Sequence, residues 1–405
     1  MQGATEIRPE GLRTAAHKLS RPLLFLALPL AVIALFISAA VGHRFAFDFS
    51  IFWAAARDVI HGHSPYPQPA TVLHPPPGQP EFFVYPPLLA VVLVPFGAVP
   101  FGAAAAVWTV VGVAAVALGL WLLHVRDWRC YMVAFASIPV LSSLRLGAIS
   151  TLLMLAAALA WRWRDRWAVA GTAVGCAVVA KLFVWPLVLW LAFTRRWRAT
   201  AVATAGAAAV SLLAWAALSF EGLRRYPTLL RDLSHVESVE GFSLVALADR
   251  LGFPDPQATW PLLGLVLAGA IVASAFVRCP PGDRDRRVYV TAIGLALLLT
   301  PILWLHYFTL LLVPVALTRR TFGLEWLLYL GFWISPYTQP SHFAAWRLLV
   351  VLGLTVTIVV RAQRSPGIRT GPASARNDGT GSASGRATSS TAPKPSSGVS
   401  ASTTS

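Results

Sequence analysis

Three side chains stand where their polarity is costly, and cost of that kind usually marks chemistry. Asp48 sits between Phe47 and Phe49 in HRFAFDFSIFWAAARDVIHGHSPYP, residues 43–67, directly after the uncharged run 22–42. Aromatic neighbours exclude water and raise a carboxylate's basicity. Lys181, in GCAVVAKLFVWPLVLWLAF, lies deep in an apolar run, where inserting a lysine costs about 2.5–3.5 kcal/mol. A cation at that depth suits a lipid-linked phosphate, whose tail must stay in lipid. His306, in LLLTPILWLHYFTLLLVP, follows Pro301. A proline there interrupts the helix and leaves irregular backbone that has to line protein or a cavity. Each has a plainer reading beside it. Asp48 also fits a helix N-cap, Lys181 a side chain snorkelling to the interface, and His306 a satisfied buried histidine.

Other polar residues carry less. Tyr66 and Tyr85 flank the proline-rich stretches GHSPYP and YPPLLAVVLVPFGAVP and fit an interfacial tyrosine belt. Asp58 stands beside Arg57 on a helix flank and reads as solvated or paired. His61, His63 and His74 have no fixed partner or outer shell nearby, so no metal is expected. No glycine-rich phosphate loop and no Ser-His-Asp grouping is present. Cys130, Cys176 and Cys279 fit neither a zinc site nor a disulfide framework.

The elements that must position these residues are membrane helices. Of 405 residues, 56% are hydrophobic and 12% charged, against about 25% charged in soluble domains. Pro22–Gly42, Phe101–Leu123, Ala199–Phe220 and Ala258–Val277 each lack Asp, Glu, Lys and Arg and have the length of a bilayer span. The fold class is therefore all-α: a polytopic membrane protein of about 12 transmembrane helices, some of them short. Candidates are 22–42, 86–99, 101–123, 130–143, 148–161, 167–193, 199–220, 258–277, 288–302, 303–318, 321–335 and 343–361. The first run is too long for a signal peptide core, so it is expected to stay as the first helix. The net charge of +16 lies in short Arg clusters between apolar runs, the pattern of cytoplasmic loops; no nucleic-acid partner is expected.

With residues 1–21 in the cytoplasm, the first span delivers 43–85 to the outer face, where 221–257 also falls. Two versions of the middle remain. Either 86–99 crosses, and the Arg clusters near 126 and 164 lie outside, or it re-enters and 167–193 breaks near Lys181, and every cluster lies inside. Apolar residues at 49, 52, 53, 56, 59 and 60 predict a helix over 49–61 lying in the interface, with Asp48 at its N-terminal end. In SVEGFSLVALADRLG, Gly241 and Ser243 precede a short amphipathic helix. From Gly367 the chain is Ser, Thr, Pro, Gly and Ala, expected as a disordered cytoplasmic tail over 367–405.

The motifs together resemble glycosyltransferase family 87 of the GT-C superfamily. The resemblance runs in order: Asp48 in DFSIFWAAARDVIHGHSPY, then FVYPPLLAVVLVPFGAVP followed by Trp108. LRLGAIS (Leu144–Ser150) is similar to the family's Gly-Gln-x-Asn/Ser turn, and AKLFVWPLVL to its Lys-x-x-x-x-Pro helix. GFSLVAL is similar to its Asn-x-Ser loop, and TPILWLHY to its Ser-Pro-x-x-Trp-x-His motif. Ala148 stands where the family often has Gln, and Gly241 where it has Asn.

The resemblance implies a membrane domain over 22–361 of GT-C type in the plasma membrane, with its active site on the extracytoplasmic side. It implies mannose transfer from polyprenyl-phosphate mannose to a mannosylated glycolipid or lipoglycan, with inversion and an α-(1→2) product. Asp48 would be the base. Lys181, His306, Arg145 and Arg44 would bind the donor phosphate; Tyr66, Tyr85, Ser243 and Trp304 would hold sugars. No cofactor is implied. The alternatives are an arabinofuranosyltransferase using decaprenyl-phosphate arabinose and a polyprenol-lipid flippase.

Overall fold

The computed structural model describes residues 45–67, 71–72, 82–276, 281–335 and 344–365. Expectations for the N-terminus, the first span, Arg44, His74, Cys279, the loop 336–342 and the tail after Gly367 lie outside the described residues. Among the described residues every regular element is helical, since only a helix satisfies its own backbone inside a single apolar segment.

The helices are α1 (Phe47–Ile60), α2 (Leu88–Val92), α3 (Val94–Gly97), α4 (Phe101–Leu122), α5 (Trp128–Ala136), α6 (Ile138–Leu146), α7 (Ser150–Arg162) and α8 (Trp167–Ala180). They continue with α9 (Pro186–Phe193), α10 (Trp197–Ala217), α11 (Tyr226–Glu237), α12 (Leu244–Arg250), α13 (Pro256–Phe276), α14 (Arg284–Leu298), α15 (Leu312–Thr318), α16 (Leu324–Leu330) and α17 (Ala345–Arg364). Short 3-10 turns cover Leu182–Val184 and Leu305–Leu311.

Among the described residues, four helices are long and apolar enough to cross a membrane: α4, α10, α13 and α17. The pair α6–α7, bent by 118° between Leu146 and Ser150, adds a fifth if read as one span. The chain is thus a multi-pass membrane protein, but the twelve expected segments do not map onto twelve straight helices. Prolines and polar breaks divide several of them.

Two divided segments bear on the site. Segment 86–99 is kinked at Leu93, between α2 and α3 and ahead of Pro95, and it packs against α1. Tyr85 meets Phe52 edge-on at 4.7 Å, and Trp53 Nε1 donates to the Val99 carbonyl at 3.0 Å. Segment 167–193 breaks at Lys181, and its two ends meet at Asp285. Arg164 Nε reaches that carboxylate at 3.0 Å, Arg196 at 2.7 and 2.9 Å, and Trp190 Nε1 at 2.8 Å. A charge bonded this often is worth keeping buried, because each donor offsets part of its desolvation. This return brings Arg164 and Arg196 to the same carboxylate.

Candidate active site

Asp48 enters at the start of α1, though not as its cap. The N-cap is Ala46, in the left-handed region at φ 55 and ψ 39, and no side chain caps the helix. An L-residue in that conformation costs roughly 1 kcal/mol; the Ala46 N–H compensates by donating to the Arg145 carbonyl at 2.7 Å. Asp48 therefore occupies the first turn, and its Oδ2 lies 3.7 Å from His306 Nε2. The two side chains are 13% and 5% exposed.

The floor beneath Asp48 explains the LRLGAIS turn. Phe49 stacks on Trp108 with centroids 5.1 Å apart, and Trp108 Nε1 donates to the Gly147 carbonyl at 2.7 Å. Gly147 has φ +66, and a Cβ there would lie 2.6 Å from Phe49 Cβ. Only glycine allows both the conformation and the approach. Through this turn Arg145, in the last turn of α6, is held against the start of α1.

Lys181 lies at the break after α8. Its backbone is extended at φ −156 and ψ 113, and Pro186 opens the next helix at its first positions. Nζ donates to the Tyr85 hydroxyl at 3.4 Å and lies 4.7 Å from the Tyr85 ring centroid and 3.9 Å from that of Tyr307. Asp48 and His306 are both within electrostatic reach of it. Asp48, Lys181, His306, Tyr85 and Tyr307 form one cluster.

His306 stands in the run Leu305–Leu311, long for a 3-10 helix, a geometry that often marks function or strain. The preceding irregular backbone is buttressed by the 241–243 loop. Phe242 N–H donates to the Leu303 carbonyl at 2.7 Å, and a Cβ on Gly241 would meet that oxygen at 2.6 Å. The departure from Asn at this position thus accompanies a backbone contact that leaves no room for a side chain.

The remaining candidates sit around the cluster. The Tyr66 hydroxyl donates to the Tyr85 carbonyl at 2.9 Å, and its ring stacks on Trp215 at 5.0 Å. Tyr66 thus holds Tyr85 from behind. Trp304 is half-buried and its carbonyl accepts from Tyr307 N–H at 3.0 Å. Ser243 is the N-cap of α12; its hydroxyl accepts from Ala246 N–H at 3.2 Å and donates to the Ser238 carbonyl at 3.0 Å. Asp58 lies at the far end of α1. Burial pushes its carboxyl above the usual range, while His63, His61 and Arg57 counteract this. No group of three or more His, Cys, Asp and Glu placed to hold a metal ion occurs among the described residues.

The cluster joins a group that can take a proton to two that can meet an anion. Sequence reasoning did not single out Tyr307 as a partner of Lys181, nor Asp285 among its arginines. Tyr307 adjoins the histidine, and Asp285 is the acid inside the RDRR run; those were the available signals.

Fold and site describe a multi-pass membrane protein with a carboxylate, a lysine and a histidine gathered at a broken helix. The chain belongs to glycosyltransferase family 87, whose model matches residues 83–301, a stretch that holds Tyr85, Gly147 and Lys181 and stops short of Asp48 and His306. It is a glycosyltransferase. A Mycolicibacterium smegmatis protein named polyprenol-phosphate-mannose-dependent alpha-(1-2)-phosphatidylinositol pentamannoside mannosyltransferase is 26% identical over 309 residues, covering 68% of this chain and 75% of the relative. The Mycobacterium tuberculosis protein of the same name is 29% identical over 316 residues, covering 68% and 71%. No solved structure matches the chain.

Proposed function

We propose that this glycosyltransferase moves mannose from polyprenyl-phosphate mannose to a mannosylated glycolipid or lipoglycan, with inversion and an α-(1→2) product. The observation that carries the reading is the meeting of Asp48, His306 and Lys181. The names of the two mycobacterial relatives support the donor and the linkage.

Asp48 takes the proton of the acceptor hydroxyl as its oxygen attacks the anomeric carbon. The bond from that carbon to the phosphate oxygen breaks, so a β-linked donor gives an α-product. Lys181 and His306, assisted by Arg145 and by Arg44, neutralise the departing polyprenyl phosphate. Tyr85 and Trp304 border the cluster where the sugars pass, with Tyr66 and Ser243 supporting from further back. A phosphate monoester is already a good leaving group, so the reading invokes no cofactor.

The setting is a plasma-membrane domain of GT-C type over 22–361, its twelve apolar segments including broken and returning ones. Residues 1–21 and 367–405 are cytoplasmic, 43–85 and 221–257 extracytoplasmic, and α1 lies in the outer interface. The basic ends of the helices, gathered on the face of Asp285 and away from Asp48, support this orientation.

Purified protein given radiolabelled polyprenyl-phosphate mannose or arabinose with a panel of mannoside acceptors tests the reading. Mannose transfer onto an α-mannoside supports it. Transfer from the arabinose donor alone makes the protein an arabinofuranosyltransferase, and lipid translocation without transfer from either donor makes it a flippase.

A further inference from the structure

Lys181 has no carboxylate within ion-pair distance among the described residues. Its ammonium is held instead by the Tyr307 ring face, with the centroid at 3.9 Å, and by the Tyr85 hydroxyl at 3.4 Å. Both tyrosines are set by packing that does not involve the lysine. Tyr307 is 5% exposed, stacks on Phe183 at 4.8 Å with planes 14° apart, and meets His306 edge-on at 4.8 Å. Tyr85 meets Phe52 edge-on at 4.7 Å, and its carbonyl is bound by Tyr66.

Asp48 attracts the same ammonium. If the lysine closed onto that carboxylate, the acid would be a weaker base and the cation would be occupied before a donor arrived. A ring face attracts a cation through its quadrupole and carries no net charge. The Tyr307 ring therefore holds the ammonium without neutralising it, and a phosphate can later take it.

We infer that Tyr307, with the Tyr85 hydroxyl beside it, is a positioning residue that keeps Lys181 on a ring face and apart from Asp48 until an anionic donor phosphate captures it. The inference rests on the reading of Lys181 as a phosphate ligand.

The test compares Tyr307→Phe, Tyr307→Leu and Lys181→Met in the full chain, with polyprenyl-phosphate mannose as varied substrate. Tyr307→Leu raises the donor KM about tenfold, with a smaller change in kcat, because the released ammonium closes onto Asp48 and that pair has to open before the phosphate binds. Tyr307→Phe keeps the ring and stays within about twofold of the parent. Equal effects of Phe and Leu, or a Leu variant with the parent's donor KM, overturn the inference. So does a Leu variant that loses thermal stability and kcat at unchanged KM, the signature of a purely structural ring. Tyr307→Met, of similar reach without a ring, takes its place if the Leu variant does not fold. Lys181→Met separates the two claims. An unchanged donor KM there removes the phosphate reading itself, whereas a raised KM beside an unaffected Tyr307→Leu removes only the aromatic clamp.

Discussion

Exchanging the Asp48 carboxylate for an amide isolates proton acceptance from shape. Ala46 begins α1 and no side chain caps it, so Asp48→Asn leaves the helix start intact. Transfer falls by about 100-fold or more, the contribution typical of a positioned base, while donor binding and thermal stability stay near the parent's. Asp58→Asn is mild, because Asp58 sits at the opposite end of the helix among His61, His63 and Arg57. Turnover, donor affinity and melting of the two purified variants decide the matter. Normal transfer by folded Asp48→Asn removes the assignment, and the reverse order of effects transfers it to Asp58.

At the scale of elements, Asp127 ties the start of α5 to the loop before α16. Its carboxylate accepts from Arg129 N–H at 3.1 Å, from the Arg129 guanidinium at 3.0 and 2.8 Å, and from Phe322 N–H at 2.9 Å. These bonds, the Arg129 side chain's first, hold the carboxyl at about 2. Because the folded value lies below the unfolded one, the stabilisation is complete above the unfolded carboxylate range and is lost as pH falls through about 2. Asp127→Ala removes a cap worth about 1 kcal/mol and lowers the melting midpoint near neutral pH by about 2–4 °C. Its gap from the parent narrows steadily as pH falls from about 4, the free-carboxylate value. A gap that stays constant across that range contradicts the account.

The same elements mark how far sequence reading reached. Helix α1 was legible because its apolar residues repeat at helical spacing, and the break at Lys181 because a lysine interrupts an apolar run ahead of Pro186. The return of 167–193 was not. Hydropathy records that a segment is apolar, and a crossing and a return are equally apolar. A tertiary partner decides it for 167–193: Asp285, which binds Arg164 and Arg196 together. The cap role of Asp48 was equally open until Ala46 took the left-handed turn. Tyr307 stayed hidden because an aromatic residue in an apolar run looks like packing until the cation it faces is known.

On the whole molecule, charge separates by face. Arg164, Arg196 and Asp285 lie at one end of the helices, and Asp48, Tyr66 and the 221–257 loop are reached from the other. With the three native cysteines replaced, an impermeant maleimide applied to intact cells labels Glu221→Cys and leaves Arg166→Cys unlabelled. Labelling of Arg166→Cys before lysis overturns the orientation. The hairpin 167–193 has a consequence for substrate choice. Helix α8 has 14 residues, which at about 1.5 Å each gives about 21 Å, against a hydrocarbon layer of about 30 Å. Tied down at Asp285, the hairpin acts as a depth gauge that sets the ammonium at a fixed level. Under the proposed function, that level is one a phosphate reaches while its lipid tail stays in the hydrocarbon layer.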